Sequence, residues 1–316
     1  MDVVALGELL IDFACVSTDA EGYPTMAAHP GGAPANFLAA LAKFGAQTAL
    51  LGKVGTDAFG KLLTGTLQNA GIETRGLVTT DDVFTTLAFV TLDETGNREF
   101  SFSRKPGADT CITFEELDLS LIDEAKVFHF GTLSLTDEPA RTATQKAVAY
   151  AKAGGKLITY DPNLRKPLWK SLDVAKEQIL WGLSQADVVK ISDEEVDFLW
   201  GLSPEEGAAH ILANYGVKLV FVTCGAAGCF YKNANAQGMV ASPKGIHVID
   251  TTGAGDIFGG SALWQLLQLA KDPADLSEEE LRRVVTFACT SASLSTTRPG
   301  GISSVPEMET VQSFLK

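Results

Sequence analysis

The sequence predicts an α/β fold, a doubly wound, mostly parallel sheet flanked by helices, with a small β-sheet lid, and three observations predict it. Short apolar strands alternate with helical stretches from residue 127 onward. A strand–helix–strand unit opens the chain. Two segments, 13–30 and 83–102, interrupt that rhythm with β-rich patterns of their own. No linker divides the 316 residues, so a single domain over 1–316 is expected, its lid formed by those two segments.

The opening unit is the apolar run Val3-Val4-Ala5-Leu6, a helix over 34–44 stopped by Gly45, and a strand at 48–51. A second helix, 58–69, ends before Gly71. Runs at 84–92 and 98–102 flank the turn residues Asp93-Glu94-Thr95-Gly96-Asn97 and predict a β-hairpin. Strands follow at 127–130, 156–160, 187–191 and 219–223. Ligands of such sheets bind outside the carboxyl ends of the strands. There the sequence places Asp161, Asn163 and Arg165, then Lys190 and Ser192, then Thr223 and Gly225.

Composition excludes several classes. Hydrophobic residues make up 46% of the chain and charged residues 20%, the balance of a globular enzyme. Against 25 Lys and Arg stand 39 Asp and Glu, a net charge of −14 without a basic stretch to track nucleic acid. The same field repels free ATP, so a nucleotide site here needs backbone N–H groups, a few cations and a metal. The longest uncharged apolar stretch, 257–270, is 14 residues, too short to span a membrane. The N-terminal strand has neither the basic flank nor the cleavage site of a signal peptide, so a cytoplasmic location is expected. Cys15, Cys111, Cys224, Cys229 and Cys289 show no CxxC spacing and read as core filler, and His29, His129, His210 and His247 show no ligand spacing and read as structural or surface residues.

The run Asp250-Thr251-Thr252-Gly253-Ala254-Gly255-Asp256 leads directly into an apolar helix at 257–270. Glycines at a helix start let backbone N–H groups approach an anion, and the helix dipole adds partial positive charge. A carboxylate beside a phosphate cradle repels the stored anion, but it suits a base that deprotonates an alcohol for phosphoryl transfer. The alternative at this point is that Asp256 caps the helix. Two other nucleotide motifs fail. Gly55-Thr56-Asp57-Ala58-Phe59-Gly60-Lys61-Leu62 copies a P-loop until Leu62 replaces the hydroxyl that would hold magnesium, and reads as a strand-to-helix turn. Phe258 occupies the third glycine position of a dinucleotide fingerprint, which argues against a nicotinamide enzyme.

The stretch 250–260 resembles the C-terminal signature of the ribokinase-like (PfkB) carbohydrate kinases. Gly31-Gly32-Ala33-Pro34-Ala35-Asn36, about 220 residues earlier, resembles that family's N-terminal sugar-binding signature. The resemblance covers nearly the whole chain. It implies that Asp256 is the catalytic base, with Gly253, Ala254 and Gly255 as the anion hole, and that Asp12, Gly31, Gly32 and Asn36 bind the sugar. For ATP it points to Lys190, Ser192, Thr223, Gly225 and Gly228, and for Mg2+ to Glu195. The chain departs from the family's Asn-x-x-Glu by having Ser192-Asp193-Glu194-Glu195. Asp250, Thr252, Ser295, Gly300 and Ser304 occupy places comparable to a monovalent-cation (K+) site in some relatives.

Within the family, the stretches 7–13, 102–109, 161–165 and 190–193 look most like fructokinases, which makes D-fructose the expected acceptor. Arg104, Asn163 and Arg165 are the further candidate substrate residues. The two arginines are equally suited to the carboxylate of 2-keto-3-deoxygluconate or to salt bridges in the lid and at a strand end. A ribokinase is the other relative in view. The rival of a different class is a non-catalytic sugar or nucleotide sensor; intact Asp256 beside intact glycines argues against it. An exposed lid edge is suited to pairing two copies as a homodimer.

Overall fold

The computed structural model describes residues 1–92 and 98–315, so the hairpin turn expected at 93–97 lies outside the described residues. The first half contains β1 (Val3–Leu6), β2 (Leu10–Thr18), β3 (Pro24–Gly31), α1 (Ala33–Lys43), β4 (Thr48–Gly55), α2 (Ala58–Asn69), β5 (Ile72–Glu73), β6 (Leu77–Thr80), β7 (Leu87–Leu92) and β8 (Arg98–Ser103). The middle contains α3 (Leu119–Glu124), β9 (Val127–Gly131), α4 (Ala140–Ala153), β10 (Leu157–Asp161), α5 (Leu172–Gln185), β11 (Val188–Ser192), α6 (Asp193–Trp200) and α7 (Pro204–Tyr215). The chain finishes with β12 (Leu219–Thr223), β13 (Cys229–Asn233), β14 (Gln237–Val240), α8 (Ala254–Leu269), α9 (Glu278–Ser295) and α10 (Met308–Phe314).

Among the described residues the principal sheet has ten strands, ordered β14-β13-β12-β11-β10-β9-β1-β4-β5, with β6 also paired to β4. Pairings from β12 through β5 are parallel, and β13 and β14 close one edge antiparallel. Strand β1 shows why these strands are apolar without alternation. Val3 and Ala5 face a core shared with Leu38 of α1, Ile257 of α8 and Val284 of α9, while Val4 and Leu6 face a second core with Ala147 of α4, Ile179 of α5 and Ile211 of α7. Both faces of the sheet are covered by helices, as a doubly wound fold requires. Each fully buried Leu or Ile contributes about 1.5–3 kcal/mol to that packing.

A separate four-stranded sheet, β3-β2-β7-β8, holds the lid segments. Strand β2 pairs antiparallel with β3, placing Asp12 opposite His29, and parallel with β7, placing Asp12 opposite Ala88. Its inner strand stacks on the main body: the Phe13 ring lies 5.2 Å from Phe89 and 5.5 Å, edge-on, from Phe59 of α2. The Gly55–Leu62 run is a strand-to-helix turn. Asp57 caps α2 by accepting from the Phe59 and Gly60 N–H groups, and its other oxygen accepts from Thr85 N and Oγ1. A protein carboxylate therefore occupies the place a phosphate would take in a P-loop. No helix among the described residues is long and apolar enough to cross a membrane.

One expectation needs correction. The helix read as starting at 257 begins at Ala254, with Gly253 as its N-cap in the left-handed region (φ 74). Asp256 is not the cap; it stands inside the first turn.

Candidate active site

The carboxyl ends of the central strands and the starts of α1 and α8 converge on one cleft. Gly32 is the N-cap of α1, and its φ of 116 and close approach to the segment after β1 both require glycine: a Cβ there would lie 2.4 Å from the Glu8 carbonyl oxygen. One turn further, buried Asn36 donates from Nδ2 to Asp256 Oδ2 at 2.8 Å, joining two segments 220 residues apart. The Asn36 Oδ1 is buried and accepts from no described group. An acceptor left so is costly unless a ligand hydroxyl reaches it.

At α8 the N-cap Gly253 brings no side chain to the orphan N–H groups of the first turn. A Cβ on Gly253 would sit 2.9 Å from Gly301 Cα and 3.0 Å from Asn36 Nδ2, and one on Gly255 3.0 Å from Lys190 Nζ. The loop thus lies between the Asn36 amide and the Lys190 ammonium. The Gly253 and Gly255 N–H groups find no acceptor among the described residues, whereas Ala254 N–H makes a 3.3 Å turn bond to Thr251 O. This helix start can receive an anion.

Burial raises the pKa of Asp256, opposed by the Asn36 hydrogen bond and the charges of Lys190 and Arg165, while Glu195 adds to the rise. Asp12 is pushed up to about 6 by burial; Arg165 pulls it down, and Asp256 and Asp250 push it further up. A Cβ on Gly31 would fall 2.2 Å from Asp12 Oδ2, so the diglycine lies against this acid. Asp12, Gly31, Gly32, Asn36, Arg165 and Asp256 are therefore brought to one place.

The next strands supply a cation. Lys190 lies in the middle of β11 and pairs with Asp161 Oδ2 at 3.0 Å. Burial alone would lower its pKa, but Asp161, Glu195 and Asp256 outweigh it and hold the ammonium charged. Asp161 Oδ1 accepts from Asn163 N at 3.2 Å, turning the loop after β10. Ser192 caps α6 through its Oγ, which accepts from Glu195 N–H. Glu195 Oε2 accepts from Ser192 N–H at 2.8 Å and Oε1 from Leu164 N–H at 2.7 Å. Ser192 and Glu195 thus form a capping box that also pins the 163–165 loop.

Beside these groups opens a cavity of about 620 Å³, within the range of small-molecule and cofactor sites. Lys190, Asn163, Thr223 and Gly255 border one part of it, and Ile246, Val248, Phe258 and Ala292 give it apolar wall. Gly225 and Gly228, in the turn between β12 and β13, also border it. On the far side of the α8 start, Asp250 Oδ1 accepts from Thr252 N and Oγ1, and Oδ2 from Gly300 N at 2.9 Å. Ser295 Oγ donates to Ala292 O and Ser304 Oγ to Gly301 O, so both hydroxyls are buried against their own turns.

Arg104 takes the salt-bridge alternative. It is 5% exposed, donates Nε and Nη2 to Asp109 Oδ2, Nη1 to Thr136 Oγ1, and Nη2 to Leu133 O. With Nε, Nη1 and Nη2 each donating to a protein acceptor, it clamps the lid base. Asp161 and Glu8 are the site neighbours that sequence reading left unassigned. Asp161 was visible only as a polar residue ending an apolar strand, and Glu8 only as an acid after one.

An anion-binding helix start beside a buried carboxylate, at the carboxyl edge of a doubly wound sheet, defines a phosphotransferase acting on small alcohols. The chain belongs to the pfkB family of carbohydrate kinases, whose sequence model matches residues 1–308. It is 42% identical to fructokinase-1 of Zea mays over 99% of this chain and 98% of the relative. Among solved structures it is similar to a fructokinase from Xylella fastidiosa with bound ATP (31% identity, TM-score 0.91, covering 99% of this chain and 98% of that one). It is also similar to a fructokinase double mutant from Vibrio cholerae O395 with fructose, ADP and potassium ion bound (32% identity, TM-score 0.88, covering 100% and 99%).

Proposed function

We propose that the chain is a fructokinase that moves the γ-phosphoryl group of ATP to D-fructose, giving fructose 6-phosphate. The observation that carries the reading is the Asn36–Asp256 hydrogen bond, which sets the candidate base of one signature against the candidate sugar amide of the other. Full-length similarity to fructokinases, some holding ATP or fructose, supports the choice of both substrates.

In this reading Asp12, Asn36 and the Gly31–Gly32 backbone hold the hydroxyls of the sugar, and Arg165 reaches the same space from the 163–165 loop. Asp256 Oδ accepts the proton of the attacking hydroxyl as the new O–P bond forms and the bond to the ADP oxygen breaks. The N–H groups of 253–255, at the positive end of α8, face the charge that builds on the moving phosphoryl group. Lys190 adds a fixed positive charge on the same side. The nucleotide occupies the cavity lined by Thr223, Gly225, Gly228 and the apolar wall.

Asp161 and Glu195 are buried acids, and the charge of Glu195 adds to the burial that raises the proton affinity of Asp161, an arrangement that favours a hard divalent cation near the phosphates. Mg2+ held there, through water where the carboxylate oxygens already accept protein N–H bonds, would neutralise charge on the phosphate oxygens. Asp250, Thr252, Ser295, Gly300 and Ser304 lie on segments that meet beside the anion hole, which fits a K+ ion bound by oxygens. Closure of the four-stranded sheet over the sugar would exclude competing water. Free cysteines at all five positions fit a reducing, cytoplasmic location, and the exposed Val16 and Tyr23 of the lid fit pairing of two copies there.

A 2-keto-3-deoxygluconate kinase is disfavoured. Its carboxylate would need guanidinium donors, Arg104 directs Nε, Nη1 and Nη2 to Asp109, Thr136 and Leu133, and the full-length similarity is to fructokinases. The test is ATP turnover against fructose, ribose, 2-keto-3-deoxygluconate, adenosine and fructose 6-phosphate. Fructose giving the highest kcat/KM supports the proposal. A ketodeoxygluconate preference, or no turnover with any sugar, sinks it.

A further inference from the structure

Glu8 stands just beyond β1, 3% exposed, with no part in the roles set out above. Its Oε1 accepts from the Ala33 N–H at 2.9 Å, in the first turn of α1, where the N-cap Gly32 has no side chain to do so. Its carbonyl oxygen is the atom that keeps a Cβ off Gly32. Main chain and side chain of Glu8 thus both brace the turn that carries Asn36. On its other flank lies the lid base, where the charges of Arg104 and Asp109 act on it. Arg104 directly follows β8, and Thr86, which donates to Asp109 and precedes β7, receives the Ile11 N–H of β2 on its carbonyl. A void of about 10 Å³, room for about one water, is bordered by Glu8, His129, Asp161, Asn163 and Asp256.

Resting on the kinase reading above, we propose that Glu8 is a positioning residue: its ionised carboxylate holds the first turn of α1, and with it the Asn36–Asp256 pair, in register with the lid base at Arg104. A charged carboxylate is the stronger partner for a helix N-terminal N–H, through both the hydrogen bond and the helix dipole. The groups that face it decide when it is charged. Arg104 favours the ionised form and Asp109 opposes it; across the void stand the acids Asp161 and Asp256, and His129, which burial drives down to about 3 and so leaves neutral. Burial pushes Glu8 itself up to about 7 against the pull of its own and the Ala33 N–H groups. The Ala33 N–H therefore favours the ionised carboxylate while burial opposes it, and the bond to the first turn of α1 is part of what keeps the charge in place.

The experiment is backbone amide hydrogen exchange at Ala33 and Asn36 at about pH 8, corrected for intrinsic rates, on the wild-type protein and Glu8→Gln. Wild-type protection is expected to exceed that of Glu8→Gln by roughly tenfold at both amides. In steady-state assays on fructose and ATP, Glu8→Gln is expected to lower kcat by about tenfold with KM for ATP unchanged. An unprotected Ala33 amide in the wild type overturns the proposal, whether or not the variant folds. So does a Glu8→Gln protein with wild-type protection and kcat. Should wild type fail to phosphorylate fructose, the functional reading falls, and the exchange experiment still decides the role of Glu8.

Discussion

At the residue scale the account turns on a carboxylate and the amide that holds it. Asp256 has to be deprotonated to accept a proton, so kcat/KM for the sugar falls as pH drops through its pKa. The Asn36 hydrogen bond lowers that pKa against burial. Asn36→Ala is therefore expected to move the acidic limb of the pH–rate profile to higher pH and to raise the KM for fructose by roughly tenfold or more. A limb that stays in place contradicts the pairing. Asp12, at about 6, adds a second reason for activity to decline on the acid side. Gly32→Ala meets both a positive φ and the Glu8 carbonyl 2.4 Å away. It is expected to cost about 1–3 kcal/mol, read as a lower midpoint in urea unfolding. Asp256 was legible because a carboxylate between glycines at a helix start has few structural uses. Glu8 was not, since nothing in the run Gly7-Glu8-Leu9 shows that its carboxylate turns back onto an N–H 25 residues later.

Elements were legible where local signals and packing agree. Helix α2 runs Ala58–Asn69, as its apolar spacing and the following glycine indicate. Helix α8 begins three residues before the reading placed it, because Gly253 and Gly255 look like loop until the positive φ of Gly253 is seen to start the helix. The lid strands also reach further than the odd segments suggested: β2 begins at Leu10 and β3 ends at Gly31, so Asp12 and the first glycine of the pair belong to the lid's own sheet. At its base, Arg104 and Asp109 form an ion pair with both side chains 2% exposed. Its geometry depends on a turn that brings residues five apart face to face, which spacing alone does not reveal. Arg104→Ala leaves Asp109 charged and unpaired, and is expected to lose about 3–5 kcal/mol. The double variant Arg104→Leu with Asp109→Leu is expected to recover much of that loss in chemical denaturation. Equal losses in the single and double variants would show that the pair is not what stabilises the lid base.

For the whole molecule, the −14 net charge sets a long-range barrier to ATP that the local site overcomes through N–H groups and Lys190. Screening weakens the barrier more than the short-range contacts. The KM for ATP is thus expected to fall as tetramethylammonium chloride rises from about 10 mM to about 150 mM at fixed magnesium and potassium. A rise instead would mean that ATP meets a positive field. The parallel core strands and their helices were readable from the alternation after residue 127, since a sheet buried on both faces leaves a continuous apolar signature. The joining of two helix starts 220 residues apart was not readable from spacing; the resemblance implied it and the strand order brings it about.

The most direct test of that joining is a single-turnover measurement of phosphoryl transfer from γ-labelled ATP to D-fructose by wild type and Asp256→Asn, with ATP binding titrated on the same preparations. The account predicts near-equal ATP affinity and a transfer rate about a thousandfold lower in the variant. Transfer within a few fold of wild type by an ATP-saturated Asp256→Asn protein would contradict it.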